Sequence, residues 1–312
     1  MDGILIVNKE KGCTSHDIVA KVKKITKQKV GHTGTLDPMA TGVLPLLLSE
    51  GTKLSKYLIE HDKIYEATIQ LGKKTDTADT EGKIIEEKEV NTSLLNETTV
   101  QAMLKKLEGK QIQIPPIYSA IKVKGKKLYE YARNEETVEI PKREIEIYKM
   151  QLLKINNQEK TITFKVHCSK GTYIRTLCET IAENLNTVGY MKELNRIKVG
   201  KFWVEEAITL ENLESLKENT TQKIENKEET KNIETSIKIK EFLKKHIITI
   251  KQFFQDKPEI ILQEQKLQLF LNGVQLTRKE PDGIYRIYNE SREFIGIGII
   301  KDSLLKRDII VK

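Results

Sequence analysis

Residues 31–42 read Gly31-His-Thr-Gly-Thr-Leu-Asp37-Pro-Met-Ala-Thr-Gly42 and place one acid, Asp37, inside a loop rich in glycine and threonine. The glycines permit backbone angles closed to other residues and let a ligand approach the chain closely. Pro38 disfavours helical angles at Asp37 and stiffens the chain after it. A carboxylate held in such a loop is suited to act as a nucleophile or a base, although Asp-Pro is also a common start of an ordinary turn.

The stretches around this loop have the periodicity of regular secondary structure, with capping residues Thr14 and Ser15 before the first helix. The Asp76 and Asp79 pair lies in a turn-rich stretch and does not have the spacing of a calcium loop, so it predicts a connection between strands. The predicted strands are 2–8, 42–48, 63–71, 145–156, 160–168 and 194–204, and the predicted helices are 15–27, 53–60, 93–108 and 171–186.

The composition describes a globular chain with room for two domains, or for one large domain with an appendage. It has 312 residues, of which 38% are hydrophobic, and its formal charge of +8 moderately favours a polyanionic partner. Three cysteines without a CxxC pair indicate reduced thiols and argue against a disulfide framework or a zinc site. No apolar run approaches the roughly 20 residues that a membrane span needs, and the N-terminus resembles a strand more than a signal peptide. We therefore expect a cytoplasmic protein.

The C-terminal third contains two segments of different composition. Residues 217–241 contain six lysines, six glutamates and no aromatic residue, which predicts a linker or a surface helix. Residues 246–312 carry short apolar runs separated by turn residues, which predict a small β-rich module.

Six motifs together resemble the TruB family of tRNA pseudouridine synthases. They are NKEKGCTS (8–15), GHTGTLDPMATGVLP (31–45), LGKKTDTADTEG (71–82), PPIYSAIKVKGKKLYEYAR (115–133), CSKGTYIRT (168–176) and GKFWVEEAITLENL (200–213). Their order and length make the resemblance specific over residues 2–215. The tail at 246–312 resembles the PUA module that follows the catalytic domain in this family.

The resemblance implies an α+β pseudouridine synthase fold with a large, mainly antiparallel mixed sheet and a C-terminal PUA-like β domain. It implies a catalytic domain at 1–215 with an RNA-binding thumb at 114–144, a charged linker or insertion at 216–245 and a PUA-like RNA-binding domain at 246–312. The implied activity is isomerisation of the T-loop uridine of tRNA, position 55, to pseudouridine. That reaction has no leaving group and no redox change, so no cofactor and no metal are expected.

The resemblance also implies roles for individual residues. Asp37 would be the catalytic carboxylate, Arg175 its ionic partner, and Tyr65 the residue that stacks on the target uracil. Judged by pattern alone, Arg175 could be a surface residue of a helix and Tyr65 a core residue of a strand. The implied substrate- and RNA-binding residues are Lys9, His32, Tyr173, Leu194, Lys124, Lys126 and Lys127.

Several alternatives remain open at this stage. The chain could be a non-catalytic tRNA-binding or folding factor with the same fold, or a relative that works with a guide RNA. Asp37 could attack C1′, add to C6 or remove a proton from C2′. We expect a monomer that binds the T-arm of tRNA, without an obligatory protein partner and without a membrane.

Overall fold

The computed structural model describes residues 2–218 and 228–311. The elements of the first half are β1 (Gly3–Lys9), α1 (Ser15–Thr26), β2 (Val30–His32), β3 (Thr41–Leu48), α2 (Ser55–Leu58), β4 (Lys63–Leu71), β5 (Lys73–Thr75), β6 (Ile84–Glu87), α3 (Glu97–Lys106), β7 (Gly109–Gln113), β8 (Lys122–Val123), β9 (Lys126–Lys127) and α4 (Leu128–Arg133). The elements that follow are β10 (Arg143–Asn156), β11 (Thr161–Cys168), α5 (Ile174–Asn184), β12 (Gly189–Val199), β13 (Phe202–Trp203), β14 (Ile208–Thr209), α6 (Leu210–Glu218), α7 (Glu228–His246), β15 (Ile247–Thr249), α8 (Ile250–Phe253), β16 (Glu259–Ile261), α9 (Glu264–Leu271), β17 (Leu276–Thr277), β18 (Gly283–Tyr288), β19 (Phe294–Lys301) and β20 (Leu304–Ile310).

One large sheet organises the first part of the chain. Its strand order is β14-β1-β3-β12-β4-β11-β10-β7, with β2 added to β3, β13 to β12 and β15 to β1. The pairs β1–β14 and β3–β12 are parallel, and the other pairs of this sheet are antiparallel. The predicted α+β fold with a large, mainly antiparallel mixed sheet is therefore confirmed.

Local sequence explains the elements that frame the Asp37 loop. Thr14 caps α1 and forms a reciprocal capping box with Asp17, which satisfies two backbone N–H groups at the start of the helix. Lys27 ends the helix with a left-handed φ of 54°. Strand β4 alternates as predicted, because Tyr65 and every second residue after it face the core. The β4 bounds agree with the predicted strand at 63–71.

Other predicted boundaries were wrong. The helix predicted at 53–60 is a 3-10 turn at Ser49–Leu54 followed by the short α2, and the helix predicted at 93–108 is α3, which begins at Glu97. The strand predicted at 194–204 begins earlier, at Gly189, and β13 folds back on its end. Single turns and strand ends depend on tertiary pairing, which periodicity alone does not encode.

The C-terminal region forms a second, five-stranded sheet in the order β16-β18-β19-β20-β17, in agreement with the predicted PUA-like β domain. The first residues of the domain predicted at 246–312 do not join this second sheet, because β15 pairs with β1 of the large sheet. The segment 216–245 is not simply a linker, because α7 buries Ile239 and Leu243 in the core that contains β1 and α1. Residues 219–227 of the predicted linker lie outside the described residues.

Gly42 shows how closely the central strands approach each other. It opposes Arg196 where β3 and β12 run parallel, with φ of +110°. A Cβ atom added at Gly42 would lie 2.2 Å from the carbonyl oxygen of Arg196. This contact fixes the strand that follows the Asp37 loop against the strand that carries Arg196.

We expect Gly42→Ala to lower the free energy of unfolding by about 2–5 kcal/mol, since left-handed strain and overpacking add together. Gly125→Ala is the matched control: Gly125 has φ of +83°, but a Cβ there would meet no atom within 4 Å. The control should lose only the strain contribution of about 1–2 kcal/mol. Urea unfolding of both variants measures the difference, and equal losses would contradict the close-approach argument.

Candidate active site

A cleft of about 860 Å³ opens between the large sheet and the segment 118–129. Five of the residues predicted from the sequence line it: Asp37, Tyr65, Tyr173, Arg175 and Leu194. They come from the loop after β2, from β4, from the start of α5 and from β12. The fold therefore brings together residues separated by up to 157 positions, from 37 to 194.

Asp37 and Arg175 form a two-point ion pair in this cleft. Nε of Arg175 lies 3.2 Å from Oδ2 of Asp37, and Nη2 donates to Oδ1 at 3.2 Å. The side chain of Arg175 is only 7% exposed, whereas that of Asp37 is 30% exposed toward the cleft. A planar guanidinium that meets both carboxylate oxygens fixes the orientation of the acid as well as its charge.

Further contacts hold Arg175 in place. Its Nη1 donates to the carbonyl of Thr77 at 3.1 Å and lies 3.4 Å from Oδ2 of Asp79, while Nη2 also donates to the carbonyl of Tyr118 at 2.9 Å. Asp79 is buried and pairs with Arg175, so it belongs to the site, although the sequence pattern predicts only a connection between strands there. The available signal was its place in the motif at 71–82.

The pKa of the Asp37 carboxyl is raised above its ordinary value. Burial is the main cause, the nearby Asp79 carboxylate adds to the rise, and Arg175 and Lys9 oppose it. Low-dielectric surroundings disfavour the charged form, whereas a cation at hydrogen-bonding distance favours it. The site therefore holds a carboxylate that is more basic than a surface aspartate and is oriented by its partner.

Tyr65 is buried on β4 with its hydroxyl beside Arg196, which it faces across the β4–β12 pair. Burial raises the pKa of Tyr65 to about 12, although the guanidinium of Arg196 opposes the rise and donates a hydrogen bond to the hydroxyl. The ring is consequently a neutral apolar surface at neutral pH. Such a ring face is suited to stack on a planar base.

Arg196 was not identified from the sequence; its side chain is buried and lines the cleft. It donates to the carbonyls of Val43 at 2.8 Å and Gly34 at 3.1 Å, on either side of Asp37. On the other wall of the loop, the hydroxyl of Ser15 bonds to both the N–H and the carbonyl of Leu36. These contacts fix the loop, and no local sequence pattern predicts them.

Lys9 was predicted to contact RNA, and the structure corrects this. Its side chain is fully buried, and its ammonium donates to the carbonyls of Glu10 at 2.8 Å, Cys13 at 2.7 Å and Pro38 at 3.2 Å. An ammonium has three protons, so these acceptors can use all of them. Lys9 therefore supports the backbone directly after Asp37 and has no surface through which to bind a nucleic acid.

The remaining predicted residues divide between the cleft and its surroundings. Leu194 and Tyr173 line the cleft, and the backbone of Tyr173 is held by a double hydrogen bond with the Gln113 side chain. His32 is half-buried on β2 beside the cleft-lining Thr33, and it does not line the cleft itself. Burial lowers the pKa of His32 below its ordinary value.

Two hydroxyl groups in the cleft wall have unused hydrogen-bonding capacity. Oγ1 of Thr33 and Oγ of Ser119 are buried and lack a hydrogen-bond partner within residues 2–218 and 228–311. A buried polar group without a partner carries a desolvation cost that a bound ligand can remove. Both groups can donate or accept, as the edge of a polar ligand requires.

The predicted thumb lysines lie on a hairpin above the cleft. Lys124 is exposed at the turn between β8 and β9, whereas Lys126 pairs with Glu136 at 2.6 Å and Lys127 donates to the hydroxyl of Tyr129 at 3.1 Å. Tyr129 lines the cleft, so the hairpin connects surface cations to the cleft wall.

Within the part of the chain that the structure describes, no three His, Cys, Asp or Glu side chains come together in a metal-binding group. Among the same residues, no helix combines the length and the apolar character that a membrane crossing requires.

Comparison with known proteins gives consistent matches along the chain. The model of the TruB family pseudouridylate synthase N-terminal domain matches residues 22–174, the tRNA pseudouridylate synthase B C-terminal domain matches 175–250, and the C-terminal model of pseudouridine synthase II TruB matches 258–306. A protein named tRNA pseudouridine synthase B from Clostridium kluyveri is 39% identical over 98% of this chain and 98% of its own length. A protein of the same name from Staphylococcus epidermidis is 48% identical over 70% of this chain and 73% of its own length.

A solved structure supports the fold independently of sequence. A chain in the crystal structure of a Cbf5-Nop10-Gar1 complex is 23% identical and superposes with a TM-score of 0.65, over 99% of this chain and 84% of that chain.

The ion pair predicts a measurable pKa change at Asp37. Removing the guanidinium in Arg175→Gln removes the largest opposing charge, so the pKa of Asp37 should rise further, and its carboxylate should become protonated at a higher pH. A ¹³C NMR titration of the Asp37 carboxyl measures this pKa. Arg143→Gln changes an arginine that lines the same cleft without contacting Asp37 and should leave the value nearly unchanged. An unchanged titration in Arg175→Gln would contradict the pairing.

Proposed function

Since the chain belongs to the TruB family of pseudouridine synthases and is therefore an isomerase of that class, we propose that it converts the T-loop uridine at position 55 of tRNA to pseudouridine. Its full-length relatives are named as tRNA pseudouridine synthases. The observation that carries the proposal is the carboxylate of Asp37, held by Arg175 in a cleft that Tyr65 and Leu194 also line. A cleft of about 860 Å³ is within the usual size range of ligand sites.

The proposed reaction begins with eversion of the target nucleotide, because a stacked base in folded RNA is out of reach of a carboxylate in a cleft. The uracil would stack on Tyr65 and contact Leu194, and Tyr173 would border it. The unpaired hydroxyls of Thr33 and Ser119 are suited to bond its polar edge. His32, next to Thr33, would support the everted position.

Asp37 would then act as the nucleophile, because its two-point pairing with Arg175 orients one carboxylate for attack on carbon. In attack at C1′ or addition at C6, a carboxylate oxygen of Asp37 is the nucleophile. In the alternative route through C2′, the same carboxylate acts as a base. In each case the C1′–N1 bond breaks, the uracil turns and C5 bonds to C1′. The proton lost from C5 is balanced by the proton gained at N1, so no external reactant is consumed.

RNA binding would extend from the cleft to the hairpin and to the C-terminal sheet. Lys124, Lys126 and Lys127 would contact phosphates of the T-arm, with Tyr129 linking them to the cleft. The PUA-like sheet would bind the same tRNA outside the T-loop. We further propose that the protein acts as a monomer in the cytoplasm, without an obligatory protein partner.

We expect Asp37→Asn to lower kcat by about 10⁴-fold or more while leaving tRNA affinity nearly unchanged, since the substitution is close to isosteric. Pseudouridine formed in a T-arm RNA, together with the Kd for tRNA, measures both effects. Asp302→Asn, in the turn between β19 and β20, is a control that should keep full activity. Undiminished pseudouridine formation by Asp37→Asn would refute the assigned role.

The hairpin lysines should differ in their contribution to RNA binding. Lys124→Met should reduce the slope of log Kd against log salt concentration by about 0.9, the value for one lost phosphate contact. Lys126→Met should change the slope less, since Glu136 already pairs with this ammonium. Fluorescence anisotropy with tRNA over a range of salt concentrations measures both slopes. Wild-type slopes in both variants would remove this hairpin from the RNA interface.

A further inference from the structure

Besides Arg175 and Arg196, three cations line the cleft: Lys63, Arg143 and Lys170. Lys63 begins β4, Arg143 begins β10, and Lys170 follows the end of β11, which lies between these two strands in the sheet. Lys63 is paired with Cys168, which is paired with Ile147, so Lys170 and Arg143 lie two and four residues beyond this aligned row. The three cations therefore lie at the same end of neighbouring strands.

The three cations differ in how their charge is balanced. Lys170 forms an exposed ion pair with Glu60. The ammonium of Lys63 donates to the carbonyl of His61 but has no ion pair within the described residues. The guanidinium of Arg143 has neither an ion pair nor a side-chain hydrogen bond there, although it is half-buried. A half-buried cation without an anion is electrostatically unsatisfied. Lys63 and Arg143 can therefore accept an anionic ligand.

Strand geometry relates Lys63 to the base-stacking residue. Lys63 precedes Tyr65 by two residues on β4, so both side chains leave the same face of the strand, about 7 Å apart along it. The phosphates of a nucleotide whose uracil stacks on the buried Tyr65 would lie toward more exposed parts of the cleft. Lys63, Arg143 and Lys170 are all more exposed than Tyr65.

We infer that Lys63 and Arg143 form a binding site for the RNA phosphodiester groups that flank the everted uridine. Lys63 would neutralise one phosphate as a point charge, and the planar fork of Arg143 would hold the other through two N–H groups. This inference rests on the proposed function, because it requires a nucleotide in the cleft. It assigns to these residues a role in holding the everted conformation, separate from the chemistry at Asp37.

The electrostatics of Lys63 give the inference a distinctive signature. Burial and the charge of Arg196 lower the pKa of Lys63 to about 8. A bound phosphate would favour the charged ammonium and raise this pKa again, so RNA binding above pH 8 must take up a proton.

The ionisable groups facing Lys63 are Glu60, His61, Asp62, Cys168 and Arg196. Burial raises the pKa of Cys168 to about 12 and lowers that of His61, so neither titrates in this window.

The test measures Kd for a T-arm stem–loop RNA against salt concentration and against pH, using Asp37→Asn as the parent protein to prevent turnover. In the parent, affinity should weaken above pH 8 by up to about tenfold per pH unit, as for uptake of one proton. Lys63→Met should reduce the salt slope by about one and remove this pH dependence. Lys63→Arg should keep the salt slope but lose the pH dependence, since a guanidinium does not titrate here. Any titration of the RNA itself is common to all three proteins.

Arg143→Gln should lower the salt slope by about one while keeping the pH dependence of the parent. Lys154→Met, an exposed lysine near the opposite end of β10, is the matched control and should change neither property. Circular dichroism melting of each variant separates loss of binding from loss of folding. Parent-like slopes and pH dependence in folded Lys63→Met and Arg143→Gln would overturn the inference. Wild-type pseudouridine formation on the same RNA, measured in parallel, reports separately on the proposed function.

Discussion

The buried guanidinium of Arg175 is the interaction on which the rest of the site depends. It lies between two carboxylates, Asp37 and Asp79, and also bonds to the carbonyls of Thr77 and Tyr118. It therefore ties the Asp37 loop, the connection after β5 and the segment around Tyr118 to the first turn of α5. One cation facing two acids leaves the cluster deficient in positive charge, and this deficiency contributes to the raised pKa of Asp37.

Two other buried cations, Lys9 and Arg196, support the same loop. Lys9 and Arg196 direct their N–H groups to backbone carbonyls before and after Asp37. Replacing Arg196 with an apolar residue would remove its bonds to the carbonyls of Gly34 and Val43, and a buried carbonyl that loses its partner is costly. Replacing Lys9 would remove its bond to the carbonyl of Cys13, whereas the carbonyl of Pro38 would keep its bond from the N–H of Gly12. Buried charged side chains therefore hold the loop in place. Rigid placement of a reactive group is what positional catalysis requires.

Six cations in and around the site fall into two functional groups. Lys9, Arg175 and Arg196 are internal and have protein partners, whereas Lys63, Lys124 and Arg143 face the cleft or the solvent without an ion pair among the described residues. Formal charge treats both groups alike, since all six contribute equally to the net charge of +8. Only the second group can increase affinity for a polyanion, so net charge overstates the surface available to RNA.

The sequence by itself determined the local elements and the central residue of the site. Neighbouring residues determine the alternation of β4, the capping box of α1 and the glycine-rich loop around Asp37. The family resemblance linked Asp37 to Tyr65 and Arg175. Tertiary structure alone decided that Lys9 is buried, that Asp79 is the second partner of Arg175 and that Arg196 supports both the loop and Tyr65. Periodicity and turn chemistry act over a few residues, whereas the partners of these buried charges lie up to 162 positions away. A lysine or aspartate has the same local pattern in either setting, so only the folded sheet distinguishes a structural charge from one that awaits a ligand.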